Sequence, residues 1–304
     1  MKISIYIFVS LLLFSCSKSD DPAAIKLLRT EATDYNGIIL STEYVYDNMN
    51  RIVAIKQAEN NAPANVSVTI DYKGNEAVLI SFPNIEPSYK RTKEVHLSLT
   101  ENGKMLKRIE YTHGVSINPA VLLPETFLYD TLTCAYDAAG FLTETSRSLY
   151  DSSGGDQANN AGSRLTSTTT YTIQAANVVS SDEHAIYRVT RRNAGIVTTT
   201  GGNSDYHHTF NYTKKYPNQT DFKNVAVLNE FLDYYELVMN VQQKNMPDQV
   251  VINTIERDLS NAVTFTLNTT VDIERAYNGE GLLSNINILT SNTQYRKILH
   301  FYGK

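Results

Sequence analysis

The chain has 304 residues, 42% of them apolar and 19% charged. It is long enough to bury a substantial core as one large or two ordinary domains, and this composition excludes a wholly disordered chain. The formal net charge of -5 and a pI near 5.7 leave no basic excess, which excludes a protein held on nucleic acid by charge. Its 31 Thr, 28 Asn and 20 Tyr suit pleated strands and tight turns.

The first charged residue, Lys2, is followed by twelve residues, Ile3 to Phe14, interrupted only by Ser4 and Ser10 among apolar neighbours. This is the h-region of a signal peptide, too short to span ~30 Å of hydrocarbon, which takes ~20 residues. It ends in Leu13-Phe14-Ser15-Cys16, which resembles the lipobox of bacterial lipoproteins. That resemblance implies cleavage after residue 15 and acylation of Cys16, and two or three acyl chains anchor a protein stably where one does not. The following Ser17-Lys18-Ser19-Asp20-Asp21 is similar to the export signal of Bacteroidota surface lipoproteins, with Lys18, Asp20 and Asp21 carrying the pattern. The resemblance implies an outer-membrane protein anchored by lipid and facing the cell exterior. Residues 1-15 are thus read as signal peptide, 16-30 as lipidated Cys and tether, and 31-304 as a single domain.

Five heptapeptides share a pattern. They begin at Tyr46, Ile70, Leu99, Tyr136 and Tyr277, and their fifth positions are Asn50, Gly74, Gly103, Gly140 and Gly281. Gly and Asn most readily take positive φ, and the second position is Asp, Asn or Thr, whose side chain can accept from backbone N-H groups within a turn. A type I turn closed by a left-handed residue is a three-residue hairpin connection with a bulge, so each heptapeptide predicts a hairpin tip, with Asp47, Asp71 and Asp137 capping their own turns. The flanks alternate: Val66, Val68, Ile70 and Tyr72 point one way, and Val95, Leu97 and Leu99 do the same. The tips resemble the Tyr-Asp repeats of Rhs-type proteins, a pattern met fully only by residues 136-142. The irregular spacing of the copies favours a single long twisted antiparallel meander over a regular shell.

Between these tips the chain offers little chemistry. Asp130-Thr131-Leu132 resembles the O-glycan acceptor of Bacteroidota, which implies a sugar on Thr131. Cys134 reads as a buried small hydrophobe, and with Cys16 acylated no disulfide framework is available. Residues 151-163 contain no large apolar side chain and read as a mobile loop at a hairpin end. Asp182-Glu183-His184 reads as a solvated turn, and Thr198 to Asp205, through Gly201-Gly202, as another tip. His207 and His208 would point to opposite faces of a strand and so cannot both hold a metal without a bulge; no metal and no cofactor is expected.

One segment breaks the period of two. Leu228, Phe231, Leu232, Tyr235, Val238 and Met239 recur at helical spacing, which predicts one α-helix over about 225-239, packed on the sheet. Around it, Asn211-Tyr212-Thr213, Tyr216-Pro217-Asn218-Gln219-Thr220 and Lys244-Asn245-Met246-Pro247 resemble a family of Bacteroidota lipoproteins known only as a domain of unknown function. That family brings structural motifs but no catalytic residues. The expected fold is therefore mainly β: a long twisted antiparallel meander of hairpin repeats with one packed helix. The expected work is non-enzymatic, by interaction with a protein partner or an extracellular ligand, with no nucleic acid involved. The alternative is a carbohydrate-binding component of a glycan-uptake system, for which the complete lack of Trp is unfavourable. A hydrolase with a dispersed site ranks below both.

Overall fold

A computed structural model of the chain describes residues 26-33, 38-60, 62-86, 89-101, 103-116, 126-153, 160-214, 216-217, 245-279, 283-289 and 294-302. Eighteen strands follow one another: β1 (Lys26–Thr33), β2 (Ile39–Tyr46), β3 (Ile52–Glu59), β4 (Asn65–Lys73), β5 (Glu76–Glu86), β6 (Tyr89–Leu99), β7 (Met105–Ser116), β8 (Thr126–Tyr136) and β9 (Leu142–Ser153). Then come β10 (Asn160–Gln174), β11 (Asn177–Asn193), β12 (Ile196–Asn211), β13 (Tyr216–Pro217), β14 (Asn245–Met246), β15 (Gln249–Asp258), β16 (Val263–Tyr277), β17 (Leu283–Leu289) and β18 (Gln294–Tyr302). Sixteen of them form one closed antiparallel barrel in chain order, and β13 pairs with β14 apart from it.

Closure corrects the expectation of an open sheet with a packed helix. β1 pairs with β18, from Lys26 opposite Tyr302 to Thr33 opposite Arg296, so the first and last strands leave no exposed edge there. All the described elements are strands; the segment expected to be helical, 225-239, lies outside the described residues. Wall height is uneven. β17 has 7 residues and β11 has 17, so the barrel is low around β17 and tall from β10 to β12.

Alternation along the strands sorts side chains onto two walls. The inner wall carries Tyr44, Ile55, Val68, Ile70, Leu79, Val95, Leu97, Phe210, Val250, Val271, Ile273, Ile286 and Ile288, all buried in a single core cluster. These residues lie toward one end of the barrel, the end of the β2–β3, β4–β5, β6–β7 and β8–β9 turns, where apolar side chains from around the wall form one buried cluster. A fully buried Ile or Leu of this kind contributes about 1.5–3 kcal/mol from desolvation.

The turns at that end have a shared geometry. Asn50, Gly103 and Gly140 take φ of 61°, 79° and 83°. In each turn the N-H of the left-handed residue donates to the carbonyl three residues earlier, Asp47, Thr100 or Asp137, at 2.9–3.1 Å. Asp47 Oδ1 accepts from the Met49 and Arg51 N-H groups at 2.9 Å, and Asp137 Oδ1 from the Phe141 N-H at 2.8 Å. Gly74 also has positive φ, 63°, but it sits in a two-residue loop between paired Lys73 and Glu76. Asp71 therefore lies within β4 opposite Val78 and not in the turn. Gly281 lies outside the described residues.

Successive hairpins are tied by tyrosines. The Tyr72 hydroxyl donates to the Ile52 carbonyl at 3.0 Å, Tyr136 to Met105 at 2.8 Å and Tyr212 to Val178 at 2.6 Å. In the first two cases the residue before that carbonyl is a cation over the same ring, Arg51 4.5 Å from the Tyr72 centroid and Lys104 5.6 Å from that of Tyr136. Near the Tyr212 junction, buried Asp248 accepts from the Thr213 N-H at 2.8 Å, from the Thr213 hydroxyl and from the Lys214 N-H at 3.2 Å. Burial pushes its carboxyl up, but these donors outweigh burial and hold it below the usual range.

Of the two expected loops, the described ends of the first and the whole of the second are strand, residues 154-159 lying outside the described residues. β9 runs to Ser153 and β10 starts at Asn160, so both ends of the presumed loop 151-163 are paired, Asp151 with Ser163 among them. The tip expected at Gly201-Gly202 lies instead at Ala194 and Gly195, with φ of 48° and 81°. Gly201 and Gly202 belong to β12, where a Cβ would meet the Tyr187 carbonyl oxygen at 2.3 Å and the Arg257 carbonyl oxygen at 1.9 Å.

Candidate functional site

Above the apolar plug the inner wall is charged. On four consecutive strands, Lys93, Arg108, Glu110, Asp130 and Arg147 form one network with three cations and two anions. Asp130, almost fully buried, accepts from Arg108 Nη1 at 3.0 Å and from Arg147 Nε and Nη2 at 3.0 and 2.9 Å. Glu110 pairs with Arg108 and, at 3.0 Å, with Lys93. Burial raises the Glu110 carboxyl, and the Arg108 and Lys93 charges outweigh it, leaving it below its ordinary value. Each buried anion thus has at least two cationic partners, the arrangement under which buried charge is tolerated.

From β10 to β16 the outer wall is mainly polar, with Ile186 and Ile255 exposed among polar neighbours, while Ile80 and Phe127 are exposed outward on β5 and β8. β10, β11, β12, β15 and β16 point Thr168, Thr170, Asp182, His184, Asp205, His207, Asn253, Arg257, Thr266 and Asp272 outward. A hydrocarbon-facing barrel instead presents an apolar band ~25 Å tall.

Two features stand out on this wall. The first is an aromatic row. Tyr111 on β7, Tyr129 on β8 and Tyr150 on β9 lie directly opposite one another, 45%, 41% and 50% exposed. The Tyr111 and Tyr129 ring centroids are 5.2 Å apart, with His96 edge-on to Tyr111 at 5.8 Å and His113 stacked on Phe127 at 4.7 Å in the neighbouring row. The row continues across β10 and β11 as Arg164 and Arg188.

The second feature is a square of two Asp and two His side chains. Asp182-Glu183-His184 is not a turn; it lies mid-strand in β11, and Asp205-Tyr206-His207 pairs with it on β12. Both segments read Asp-x-His, and antiparallel pairing places each Asp opposite the other's His. His207 Nδ1 lies 2.6 Å from Asp182 Oδ1 and His184 Nδ1 lies 2.7 Å from Asp205 Oδ1. Asp205 also pairs with Arg257; the His184 and Arg257 hydrogen bonds hold its carboxyl below the usual range. His208 faces inward, half-buried beside Ser181 at 3.2 Å, and burial lowers its basicity. Among the described residues no group of three or more His, Cys, Asp or Glu is placed to hold a metal ion.

The residues singled out from sequence do not gather in one place. Asp47, Asn50, Gly74, Gly103, Asp137 and Gly140 mark turns at the packed end. Thr131 points outward from the middle of β8, its hydroxyl donating to the Ser148 carbonyl at 3.3 Å, while Asp130 of the same tripeptide points inward. Cys134 is half-buried against the core cluster, and burial pushes its thiol up to about 11. Cys16, Lys18, Asp20 and Asp21 lie outside the described residues. The aromatic row and the Asp-His square went unread, because each exists only once strands distant in sequence are placed in register.

Neither a protein-family model nor a curated protein matches the chain. Among solved structures it is similar to a porin-like protein from Bacteroides vulgatus, at 12% identity and a TM-score of 0.51, covering 91% of this chain and 99% of that one. A porin-like protein from Bacteroides uniformis matches at 10% identity and a TM-score of 0.46, over 92% and 98% of the two chains. The first of these likenesses is one of fold.

Proposed function

We propose that this chain is a non-enzymatic binding protein, anchored in the outer membrane by an acylated Cys16, whose barrel stands in water and takes its ligand on the outer wall. The observation that carries the reading is the outward row Tyr111, Tyr129 and Tyr150, three exposed rings on adjacent strands of a wall that is mainly polar from β10 to β16. Three half-exposed aromatic rings side by side are costly to leave in water and are characteristic of contact surfaces. The porin-like likeness supports a barrel fold, and the charged outer wall, with the plug of apolar side chains across one end of the lumen, favours a tethered body over a pore.

The same row favours a glycan over a protein as the ligand. A sugar ring offers a flat C-H face to an aromatic ring and hydroxyls at its rim. Thr131, Ser148 and Thr166 form a row of hydroxyls directly beside the tyrosines. The strand order supports one orientation of the barrel. β1 begins at the packed end, so a tether from Cys16 to Lys26 would set that end toward the membrane and leave the tall wall pointing away. The test is a glycan array on the purified lipidated protein: saturable binding is expected, lost in Tyr129→Ala. Absence of binding to every glycan, or full retention by Tyr129→Ala, would contradict the glycan reading.

A further inference from the structure

The tyrosine row is bounded by charge at both ends, by Glu94, already paired with His96, across β6–β7 from Tyr111 and by Arg164 across β9–β10 from Tyr150, and its cationic end indicates the kind of ligand. Tyr150 faces Arg164 across β9–β10, and Arg164 faces Arg188 across β10–β11, so five outward side chains on five adjacent strands fall in one line. At about 4.8 Å per strand the line is ~19 Å long, enough for a short oligosaccharide lying across the strands.

Among the described residues the rows around the cationic end hold no acid. In the three outward rows around it, Ser148, Thr166, Ile186 and Asn203 lie on one side, Ser152, Gly162, Thr190 and Thr199 on the other, and Gly201 closes the line beyond Arg188. None is Asp or Glu, in a chain whose net charge is -5. Arg164 is exposed and makes no hydrogen bond or ion pair. Arg188 is held in place: its Nη1 donates to the Tyr187 and Gly202 carbonyls at 2.8 and 3.0 Å. Those contacts use carbonyl oxygens and leave its positive charge without a carboxylate. Gly201 leaves room for this placement, since a Cβ there would come within 3.1 Å of the Arg188 side chain.

Resting on the binding reading above, we infer that the ligand is an anionic polysaccharide: Tyr111, Tyr129 and Tyr150 stack on sugar ring faces, and Arg164 and Arg188 take carboxylate or sulfate groups on the same chain. Guanidinium groups suit both anions because their planar donors match two oxygens at once. Two uncompensated cations beside an aromatic strip reward an acidic sugar and leave a neutral one with stacking alone.

The experiment uses the full lipidated protein and, as probes, uronic-acid and sulfated oligosaccharides together with the same uronate oligomers methyl-esterified at their carboxyls, measured by calorimetry. Saturable binding of an acidic probe is expected, weakened at least tenfold by esterification, by Arg164→Gln and by raising salt from 50 to 500 mM, and abolished by Tyr129→Ala. Arg164 touches nothing that holds the fold, so its variant remains a fair test. Equal affinity for acid and ester, or an unaffected Arg164→Gln, would overturn the anionic assignment while leaving glycan binding intact. Failure of every acidic and neutral glycan would overturn both.

Discussion

The Tyr136 hydroxyl donates to the carbonyl of Met105 at 2.8 Å, across from one hairpin to the return strand of the one before it. Tyr72 repeats the contact with Ile52, and in both places a cation from the earlier hairpin lies over the ring. The contact fixes how neighbouring hairpins meet at the packed end, where the core is densest. Tyr136→Phe removes the donor and leaves the Met105 carbonyl short of a partner, so it should lower unfolding stability by about 1–2 kcal/mol. Urea denaturation followed by β-sheet circular dichroism reads this, and Tyr72→Phe should cost a similar amount.

Gly140 has φ of 83° with the turn closed around it. Gly140→Ala forces a Cβ into the left-handed region and should cost about 1–2 kcal/mol. Gly140→Asn should recover much of that loss, because Asn50 occupies the equivalent position with φ of 61°. Comparison of the two urea midpoints checks both.

Asp130 is shared by Arg108 and Arg147 inside the barrel. Asp130→Asn leaves two inner-wall cations with one acidic partner fewer and should destabilise by about 3–5 kcal/mol, the usual cost of breaking a buried ion pair from one side. A drop in thermal midpoint far beyond that of Tyr136→Phe is the expected reading.

Glu110 and Asp248 both have carboxyls held below their ordinary values in the folded chain. Each therefore contributes stability that is present above its unfolded value, about 4.3 for Glu and 3.9 for Asp, and is lost as pH falls through the lower folded value. The thermal midpoint should change little from pH 7 to 5 and fall below about pH 4. Glu110→Gln should lower stability at pH 7 and flatten the acid limb.

The Cys134 thiol, pushed up to about 11 by burial, is almost wholly protonated at pH 8. In the native protein it should resist a thiol-reactive disulfide reagent over hours and react within minutes in 8 M urea.

What could be read from the sequence was local. Asp47, Thr100 and Asp137 each sit four residues before the end of a turn whose hydrogen bonds close within that span, so residue type and spacing sufficed. Asp258 closes the same kind of turn at the opposite end of the barrel, with Asn261 at φ 67°. Its segment begins with Arg257, where the five heptapeptides begin with Tyr, Ile or Leu, so the shared pattern does not extend to it. Asp71 was misplaced because a two-residue loop at Gly74 shifts the register by which the five segments were aligned. Gly201-Gly202 drew the tip seven residues too far along. That error hid the Asp182–His207 and His184–Asp205 pairs, which need the turn at Ala194-Gly195. Closure left no local trace, since β1 meets β18 across nearly the whole length of the chain. The line from Tyr111 to Arg188 depends on the register of five strands, which no single turn between them specifies.

A mainly polar outer wall from β10 to β16 and an apolar cluster at one end of the barrel carry the proposed function. The most direct measurement is the behaviour of a leaderless chain beginning at Ser17, and so without acyl groups, in buffer free of detergent. It should be soluble, with β-sheet circular dichroism and a cooperative thermal transition, and should give no conductance when added to planar bilayers. A chain that folds only in detergent micelles, or that opens channels in the bilayer, would contradict it.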